Sequence, residues 1–430
     1  MNELVHPDQL RGHKIAVIGA GRSGIAAASL ATALGAEVLL ADRQDSFSPE
    51  VEERASKNGW ALKAGDHAPE DFRDAQMVIL SPGVARSSLK KCLPDSAQVF
   101  SELEFASWFV SAPILAVTGT NGKTSTTMLI SHVLTNCGKT VFTGGNIGTP
   151  LAEFVLEARR ADILVLEVSS FQLQNCSGFR PAVGVLLNFS ANHLDYHVDE
   201  EEYFRAKLKL FARQKDNNLA VIPYALKPRL ENRDFTRARI LYFMPRGAFS
   251  CPNLPGEHNQ ANMEAAYHAC RYFGVSKEQF QESLADFRPP EHRQEIFLVR
   301  DGIRYVDDSK ATSVDALRAA LASFPSPIRL LAGGVFKGGD LALVNELLRE
   351  KVVKVYLFGD SREVFEAAWS GVAPLEWFPK LEAASSRAVA ESVPGDNVLL
   401  SPATASFDLF PDYKARGDAF KTAVKEAGRQ

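Results

Sequence analysis

One short stretch sets what this chain can fold into. The apolar segment Ile114–Val117 runs into a loop with glycines, Thr118–Ser125, and apolar residues at helical spacing then continue to Cys137, where Gly138 follows as a stop. Backbone N–H groups point outward at such a helix N-terminus, and the helix dipole favours negative charge there. The stretch therefore predicts a phosphate-binding loop on a parallel α/β sheet.

Two side chains of the loop suit a nucleotide. Lys123 offers a positive charge to the outer phosphates, and the Thr124 hydroxyl can reach Mg²⁺. The loop is shorter than the eight-residue P-loop pattern, because Val117 stands where that pattern has glycine. A glycine-rich turn with a solvated lysine is the alternative, but the flanking strand and helix favour a phosphate site. The predicted nucleotide contacts are Gly119, Thr120, Asn121, Gly122, Lys123, Thr124 and Ser125.

Composition limits the class of protein. A chain of 430 residues has room for three domains, and its net charge of −4 argues against non-specific nucleic-acid binding. No apolar run is long enough to span a bilayer, and the charged N-terminus does not resemble a signal peptide. The five cysteines are scattered, as expected for reduced thiols. We expect a cytoplasmic monomer that binds small molecules.

The N-terminal region carries a dinucleotide fingerprint. The strand Lys14–Ile18 leads into Gly19–Gly24, a Gly-x-Gly-x-x-Gly turn, and a second strand ends at Asp42. Taken alone the pattern suggests NAD, but a UDP group would fit equally well, since the glycines admit any diphosphate and the carboxylate any ribose. A tight turn that binds nothing is also open. Ser81 follows another strand, at the edge where ligands of open α/β sheets collect.

The middle of the chain offers metal ligands. Glu167 lies near the end of the strand Asp162–Val168, where a carboxylate beside a phosphate loop can hold Mg²⁺. An edge-strand carboxylate in water is the alternative. His193, Asp195 and His197 could form a metal cluster, but Mg²⁺ prefers oxygen ligands. We expect one of the three to work near the phosphates and the others to cap or pack.

Spacing alone assigns the next polar residues to ordinary positions. Lys207 and Lys209 lie on the predicted helix Glu201–Gln214, where both are expected on a solvated face. Asn259 and Asn262 lie three residues apart at the start of an Ala-rich helix. Asparagine amides can bind a base edge, although such a pair more often caps a helix.

The C-terminal third alternates strands and helices again. Strands are predicted at Ile303–Val306, Ile328–Leu331, Val352–Phe358 and Asn397–Leu400, so a parallel sheet flanked by helices is expected. Polar loops follow the strands, and they are expected to bring three side chains to one crevice that suits an anionic substrate. These side chains are Lys310, Lys337 and Ser406.

The predicted fold is α/β with three domains: Rossmann-like, then a P-loop ATPase-type mostly parallel sheet, then Rossmann-like again. The ranges are 1–111 for a UDP-substrate domain, 112–290 for the central ATP-binding domain and 291–430 for a domain that binds the incoming amino acid. Pro289 and Pro290 break the pattern and predict a hinge.

The order of these motifs resembles the Mur ligases, ATP-dependent enzymes that add amino acids to the peptidoglycan precursor. The resemblance covers nearly the whole chain, and each motif is modest alone, but together they are specific. The motifs are Gly119–Thr124, Gly144–Gly148, Glu167–Leu173, Asn192–Asp195, Asp308–Thr312 and Ser401–Asp408, with Tyr413 and Arg416–Gly417 beyond.

The resemblance implies addition of D-glutamate to UDP-N-acetylmuramoyl-L-alanine through an acyl phosphate, with ATP and two Mg²⁺ ions. Lys123, His193 and Lys207 would be catalytic, and Lys207 matches the family lysine that is carbamylated. Thr124, Glu167, His193 and Lys207 would ligate metal. Asn259, Asn262, Arg293 and Asp308 would contact the nucleotide; Arg22, Ser23, Asp42, Arg43, Ser81, Asn146, Ser169 and Gln172 the UDP substrate; and Thr312, Lys337, Ser406, Phe407 and Tyr413 the amino acid.

Two positions depart from the family pattern. Arg43 stands where a small polar residue is expected, and Tyr413 where phenylalanine is expected. Two other classes stay open at this point. One is a sister ligase with different specificity, for which the loops of Lys337 and Ser406 decide. The other is a nicotinamide-dependent oxidoreductase, which would leave Lys123, Glu167 and Lys207 without a role.

Overall fold

The computed structural model describes residues 10–190, 196–254 and 256–427. The chain forms two compact units: one comprises residues up to Met244 together with Asn262–Ser283, and the other comprises Pro245–Ala261 and the chain from Leu284 onward. The first unit holds two parallel sheets, and the second holds one mixed sheet.

The first sheet has five parallel strands in the order β3-β2-β1-β4-β5. Its central strand β1 begins the dinucleotide fingerprint and is buried along four of its five residues. The helices α1, α2 and α3 accompany it. The strands are Lys14–Ile18 (β1), Glu37–Asp42 (β2), Ala61–Ala64 (β3), Met77–Leu80 (β4) and Gln98–Ser101 (β5), and the helices are Arg22–Ala33 (α1), Pro49–Asn58 (α2) and Glu102–Ser107 (α3).

The second sheet has six parallel strands in the order β11-β10-β9-β6-β8-β7. Strand β6 is buried along all five residues and apolar at the first four, as expected for a parallel strand covered on both faces. The strands are Ile114–Thr118 (β6), Val141–Gly145 (β7), Ile163–Glu167 (β8), Val183–Leu186 (β9), Leu219–Pro223 (β10) and Arg239–Phe243 (β11). The helices are Lys123–Asn136 (α4), Leu151–Leu156 (α5), Ser170–Gln174 (α6), Glu200–Leu208 (α7), Lys227–Leu230 (α8), Glu257–Tyr272 (α9) and Lys277–Ser283 (α10).

The third sheet has the order β12-β13-β17-β14-β15-β16. Strands β12 and β13 form an antiparallel hairpin, and the other pairings are parallel. The strands are Glu295–Arg300 (β12), Ile303–Asp307 (β13), Ile328–Gly333 (β14), Val352–Phe358 (β15), Leu375–Phe378 (β16) and Asn397–Leu400 (β17). The helices are Val314–Ser323 (α11), Asn345–Lys351 (α12), Arg362–Trp369 (α13), Leu381–Ala390 (α14) and Tyr413–Ala427 (α15).

Burial explains why the two sheets of the first unit stay together. Helices α1, α3 and α5 contact one another, and one cluster of buried apolar residues runs from the first sheet into the second. The third sheet instead has a separate apolar core on each face. Apolar area removed from water is the main stabilising contribution in such layers.

The predicted fold class is confirmed, and the three sheets lie within the three predicted domain ranges. The range boundaries themselves stay a prediction. One local prediction was wrong: the helix expected over Glu201–Gln214 ends at Leu208. In the part of the chain that the structure describes, no helix has the length and apolar character to cross a membrane.

Candidate active site

The predicted phosphate-binding loop connects the end of β6 at Thr118 to the start of α4 at Lys123, as the sequence predicted, and is called the phosphate-type loop below. Gly122 precedes the helix with a φ of +80°, in the left-handed region that favours glycine. A Cβ at this position would lie 2.7 Å from the Oδ1 atom of Asn262, so glycine is also required by space. The backbone N–H groups of Thr120 and Asn121 donate to the Asn188 side chain, which fixes the loop on the end of β9.

Lys123 is anchored at this loop by its side chain. Its ammonium group donates to the backbone carbonyls of Gly119 at 3.0 Å and Thr120 at 2.9 Å. A cation beside a helix N-terminus suits the outer phosphates of a nucleotide.

Glu167 ends β8 and joins three elements. It is 2% exposed; its Oε2 atom accepts from the Thr124 hydroxyl at 2.6 Å, and its Oε1 atom accepts from the Asn146 amide at 2.8 Å. Because β8 lies between β6 and β7, the edge-strand alternative was wrong. A hydroxyl and a carboxylate beside a phosphate loop are the oxygen donors that Mg²⁺ prefers, so these residues fit that ion.

Lys207 is buried against the same loop. It is 1% exposed, and its ammonium nitrogen lies 2.9 Å from the Gly119 carbonyl oxygen and 4.4 Å from the centre of the Tyr203 ring. Burial lowers the pKa of Lys207 well below its usual value, and the nearby Lys123 cation lowers it further. A neutral amine is a nucleophile, which a solvated ammonium is not.

The solvated-face prediction from spacing was therefore wrong for both lysines of this stretch. Lys209 is half-buried and donates to the Gln174 carbonyl, and burial lowers its pKa. The predicted metal ligand His193 and its neighbour Asp195 lie outside the described residues. His197 is buried, with its Nε2 atom 3.0 Å from the Ser170 hydroxyl and its ring stacked on Phe171, as expected for a packing residue.

The dinucleotide-type turn opens on a cleft of about 570 Å³. Asp42 accepts from the Ala20 N–H at 2.6 Å, and the Ser81 hydroxyl donates to the Gly19 carbonyl at 2.8 Å, so both side chains hold the turn in shape. The predicted UDP-site residues that line this cleft are Arg22, Ser23, Asp42, Arg43 and Ser81.

The remaining predicted residues of the first unit lie on the second sheet. Ser169 and Gln172 form a capping box at the start of α6: the Ser169 hydroxyl accepts from the Gln172 N–H, and Gln172 Oε1 accepts from the Ser169 N–H. The Gln172 Nε2 atom is buried and has no hydrogen-bond partner within the described residues. Asn146 is exposed apart from its contact with Glu167.

Asn259 and Asn262 are both buried on α9. Asn262 belongs to the first unit, where it lies against Gly122, and Asn259 belongs to the second.

In the second unit, Asp308 is a buried acid at the end of β13. It accepts from the Ser401 hydroxyl at 3.0 Å and from the Gln294 N–H at 3.1 Å. Burial raises the pKa of Asp308 to about 7, although the nearby Arg293 lowers it. The carboxyl group is therefore divided between its two protonation states at neutral pH.

The loop after β14 carries Lys337 and the loop after β17 carries Ser406, which the sequence predicts to lie in one crevice. These two loops are joined by backbone hydrogen bonds. The backbones of Val335 and Ala405 exchange two hydrogen bonds of 2.9 and 3.0 Å. The Lys337 ammonium lies 5.2 Å from the centre of the Phe407 ring, and the Lys310 ammonium 4.0 Å from that of Tyr413. Of the other predicted contacts, Ser406 is buried and Thr312 is exposed.

The sequence assigned no role to Arg416, which the structure places between these loops. It is fully buried and donates to the carbonyl oxygens of Ser309 at 2.8 Å and Thr404 at 3.1 Å. Burial lowers the pKa of Arg416 to about 10. The sequence signal that could have pointed to Arg416 is the glycine that follows it. Gly417 leaves no room for a side chain, because a Cβ there would collide with the His292 ring, so this part of the helix is closely packed.

Comparison with known families covers most of this architecture. The Mur ligase middle domain matches residues 117–239, and the Mur ligase glutamate ligase domain matches residues 292–404. The UDP-N-acetylmuramoylalanine--D-glutamate ligase of Nitratidesulfovibrio vulgaris (strain DP4) is 50% identical over 95% of each chain. The chain belongs to the Mur ligase family. The protein of the same name from Desulfovibrio desulfuricans is 46% identical to this Mur ligase over 96% of each chain.

Solved structures agree with the fold of this Mur ligase. The MurF ligase of Thermotoga maritima in complex with ADP covers 91% of this chain and 95% of its own, with a TM-score of 0.61 at 18% identity. A pyridine nucleotide-disulphide oxidoreductase domain matches residues 14–65. That match runs from β1 to β3 and includes the elements that carry the dinucleotide fingerprint, whereas the ligase of Nitratidesulfovibrio vulgaris covers 95% of the chain.

Proposed function

We propose that this Mur ligase joins D-glutamate to UDP-N-acetylmuramoyl-L-alanine with ATP, giving ADP and phosphate. The observation that carries the proposal is 50% identity, over 95% of the chain, to a ligase of that name. The site supports it independently, because Lys123, Glu167 and Lys207 gather at one phosphate-type loop, a combination that hydride transfer does not use.

The reaction has two steps. A carboxylate oxygen of the L-alanyl group attacks the γ-phosphorus of ATP, the bond to the ADP oxygen breaks, and an acyl phosphate forms. The amine of D-glutamate then attacks the acyl carbon, a C–N bond forms, phosphate leaves and the amine loses a proton. No protein nucleophile is needed, so positioning and charge neutralisation supply the rate.

The residues of the first unit divide these tasks. Lys123 would hold the β- and γ-phosphates, and the loop N–H groups would orient them. Mg²⁺ held by Thr124 and Glu167 would offset negative charge on the phosphate oxygens. We assign a second Mg²⁺ to His193 and to Lys207 as its carbamate.

Burial of Lys207 supports the carbamate. The lowered pKa of Lys207 favours the neutral amine, which adds to CO₂ to form an N–C bond and releases one proton. The product is an anion with oxygen ligands, which suits Mg²⁺ better than an amine does.

The substrates are assigned to three places. Arg22, Ser23, Asp42, Arg43 and Ser81 would hold the UDP group, and Asn146, Ser169 and Gln172 the muramoyl arm. Asn259, Asn262, Arg293 and Asp308 would contact ATP, and Thr312, Lys337, Ser406, Phe407 and Tyr413 the incoming D-glutamate. We further propose that the enzyme works as a monomer in the cytoplasm, where ATP is supplied.

Phosphate release tests the proposal. The enzyme is given ATP, Mg²⁺ and UDP-N-acetylmuramoyl-L-alanine with D-glutamate, L-alanine, L-lysine or diaminopimelate in turn. Release with D-glutamate alone is expected. Release with another amino acid would keep the ligase and overturn the specificity, and no release with any of the four would overturn the reaction.

A further inference from the structure

His67 has been given no role above. Its side chain lines the cleft of about 570 Å³ beside the dinucleotide-type turn. It follows β3 and lines the same cleft as Asp42 and Ser81. Its ring lies edge-on to Phe72, with the ring centres 5.4 Å apart. Both ring nitrogens are buried, and neither has a hydrogen-bond partner among the described residues. A buried polar group without a partner is costly, so a ligand group is a natural partner for this one.

The segment that carries His67 is held in place. The Cys92 thiol donates to the His67 carbonyl at 3.2 Å, and the next residue, Ala68, donates its N–H to Asp71 at 2.7 Å. The Gly65 N–H donates to the Gln44 carbonyl at 2.8 Å, which ties the segment to the chain that follows β2. The imidazole is therefore presented from a fixed backbone, as a selective binding site requires.

The order of strands sets the direction of a bound nucleotide. The glycine turn and the N-terminus of α1 follow β1, and this is where a diphosphate fits. Asp42 ends β2, the next strand outward, where a ribose hydroxyl fits. His67 follows β3, the strand beyond β2, so the base of such a ligand is directed toward His67 and Arg43.

We propose that His67, together with Arg43, binds the uracil base of the UDP-linked substrate. The inference rests on the proposed function, because it names the residues that recognise one part of its substrate. Arg43 supplies donors at this end of the cleft, and its guanidinium reaches the Ser88 carbonyl at 3.5 Å.

The chemistry of a neutral imidazole matches the base. Burial lowers the pKa of His67, and the Arg43 guanidinium lowers it further, so the ring is neutral at physiological pH. A neutral ring carries one N–H donor and one nitrogen acceptor. The edge of uracil offers the complements, a carbonyl acceptor and the N3–H donor.

Calorimetric titration of the full-length enzyme with UDP tests the proposal. His67→Phe keeps an aromatic ring against Phe72 but has no polar atom, and the Kd for UDP is expected to rise about tenfold. His67→Gln keeps a donor and an acceptor, so its Kd is expected to rise no more than about threefold. His13→Phe, outside the cleft, is the matched control and should bind UDP like the native enzyme.

One further ligand, an ATP analogue, separates the possible outcomes. A non-hydrolysable ATP analogue should bind the native enzyme and all variants equally, which shows that they are folded; if His67→Phe fails this check, His67→Leu replaces it. Equal UDP affinity of native enzyme and His67→Phe would overturn the role of His67 and leave the proposed function intact. A native enzyme that binds the ATP analogue but not UDP would overturn the UDP site itself, and the role of His67 with it.

Discussion

At the scale of single residues, burial rather than residue type decides the chemistry of this chain. Lys207 and Lys209 are two positions apart, and spacing predicts a solvated side chain for both. Lys209 is the C-cap residue and still has helical dihedral angles, so two residues of helix turn its side chain about 200° away from that of Lys207. Lys207 reaches the phosphate-type loop, whereas Lys209 caps the Gln174 carbonyl. Sequence pattern could not predict this, because it depends on which distant segments pack against each face of the helix.

Replacing Lys207 tests the carbamate. Lys207→Ala should lose nearly all ligase activity, because the oxygen ligands of the carbamate are gone, and added acetate or formate should restore part of it. Phosphate release at increasing carboxylate concentration is the measurement. Lys209→Ala is the matched control and should stay active without rescue. A fully active Lys207→Ala enzyme would contradict the carbamate.

Asp308 predicts a pH dependence of stability. The unfolded carboxyl loses its proton near pH 4, whereas the folded one keeps it to about pH 7. The folded state binds more protons in between, so the free energy of unfolding should fall as pH rises through this window. The loss contributed by Asp308 reaches on the order of 4 kcal/mol, since each unit of pKa difference is about 1.4 kcal/mol.

Asp308→Asn has no proton to lose and should remove this fall. Relative to the native enzyme, the variant should therefore gain stability between pH 5.0 and pH 7.5, measured by urea denaturation without nucleotide. The same substitution at the exposed Asp360 serves for comparison, and the change in pH slope should be larger for Asp308→Asn than for Asp360→Asn. An Asp308→Asn variant with an unchanged slope would show that the folded carboxyl titrates normally.

At the scale of elements, the sequence predicted the buried inner strands well, whereas four strands at sheet edges were not predicted. Strands β1, β6, β14 and β17 were expected within two residues of their observed bounds, because parallel strands covered on both faces form continuous apolar runs. The unpredicted strands β3, β5, β12 and β16 all lie at sheet edges. An edge strand buries less of its surface, as the exposed first half of β3 shows, so its pattern is weak.

The candidate functional residues show the same contrast between inner strands and the rest of the fold. Residues at the ends of the central strands, such as Glu167, were predicted from position, whereas His67, after an unpredicted edge strand, and Arg416, on a helix, were not assigned a role. Their importance arises from partners distant in the sequence: Cys92 for the first, and Ser309 and Thr404 for the second.

The cap of α11 gives a prediction at this scale. The Ser313 side chain accepts from the Ala316 N–H at 3.3 Å, directly after the loop that carries Asp308 and Thr312. Ser313→Ala should lower the free energy of unfolding by about 1 kcal/mol, because one helix N–H group loses its acceptor. Ser48 precedes α2 without a side-chain cap bond, so Ser48→Ala should cost less than half as much. Equal losses in urea denaturation would argue against the cap.

At the scale of the whole molecule, the chain passes between its two compact units three times. It leaves the first unit after Met244, returns at Asn262 and leaves again after Ser283. The returning segment packs on the phosphate-type loop and helix: Asn262 lies against Gly122, and His132 on α4 lies 3.0 Å from the Ser283 carbonyl. The first unit is therefore not complete at the end of its second sheet.

Truncation should reveal this dependence. A chain that ends at Met244 lacks α9 and α10 and should be less stable than one that ends at Arg288, because α10 covers α4 and Asn262 supports the loop. Thermal unfolding followed by circular dichroism is the measurement, with binding of an ATP analogue as a second readout. Equal melting temperatures for the two fragments would mean that the returning segment contributes nothing to the first unit.

The returning segment also bears on how the protein folds as it is synthesised. Domains generally fold as units from the N-terminus as the ribosome releases them. Here the phosphate-type loop emerges early, but the asparagine beside it follows more than a hundred residues later. By then Pro245–Ala261, which belongs to the second unit, has already left the ribosome. The nucleotide-binding half of this enzyme must therefore wait, incompletely packed, until the start of its partner unit has been made.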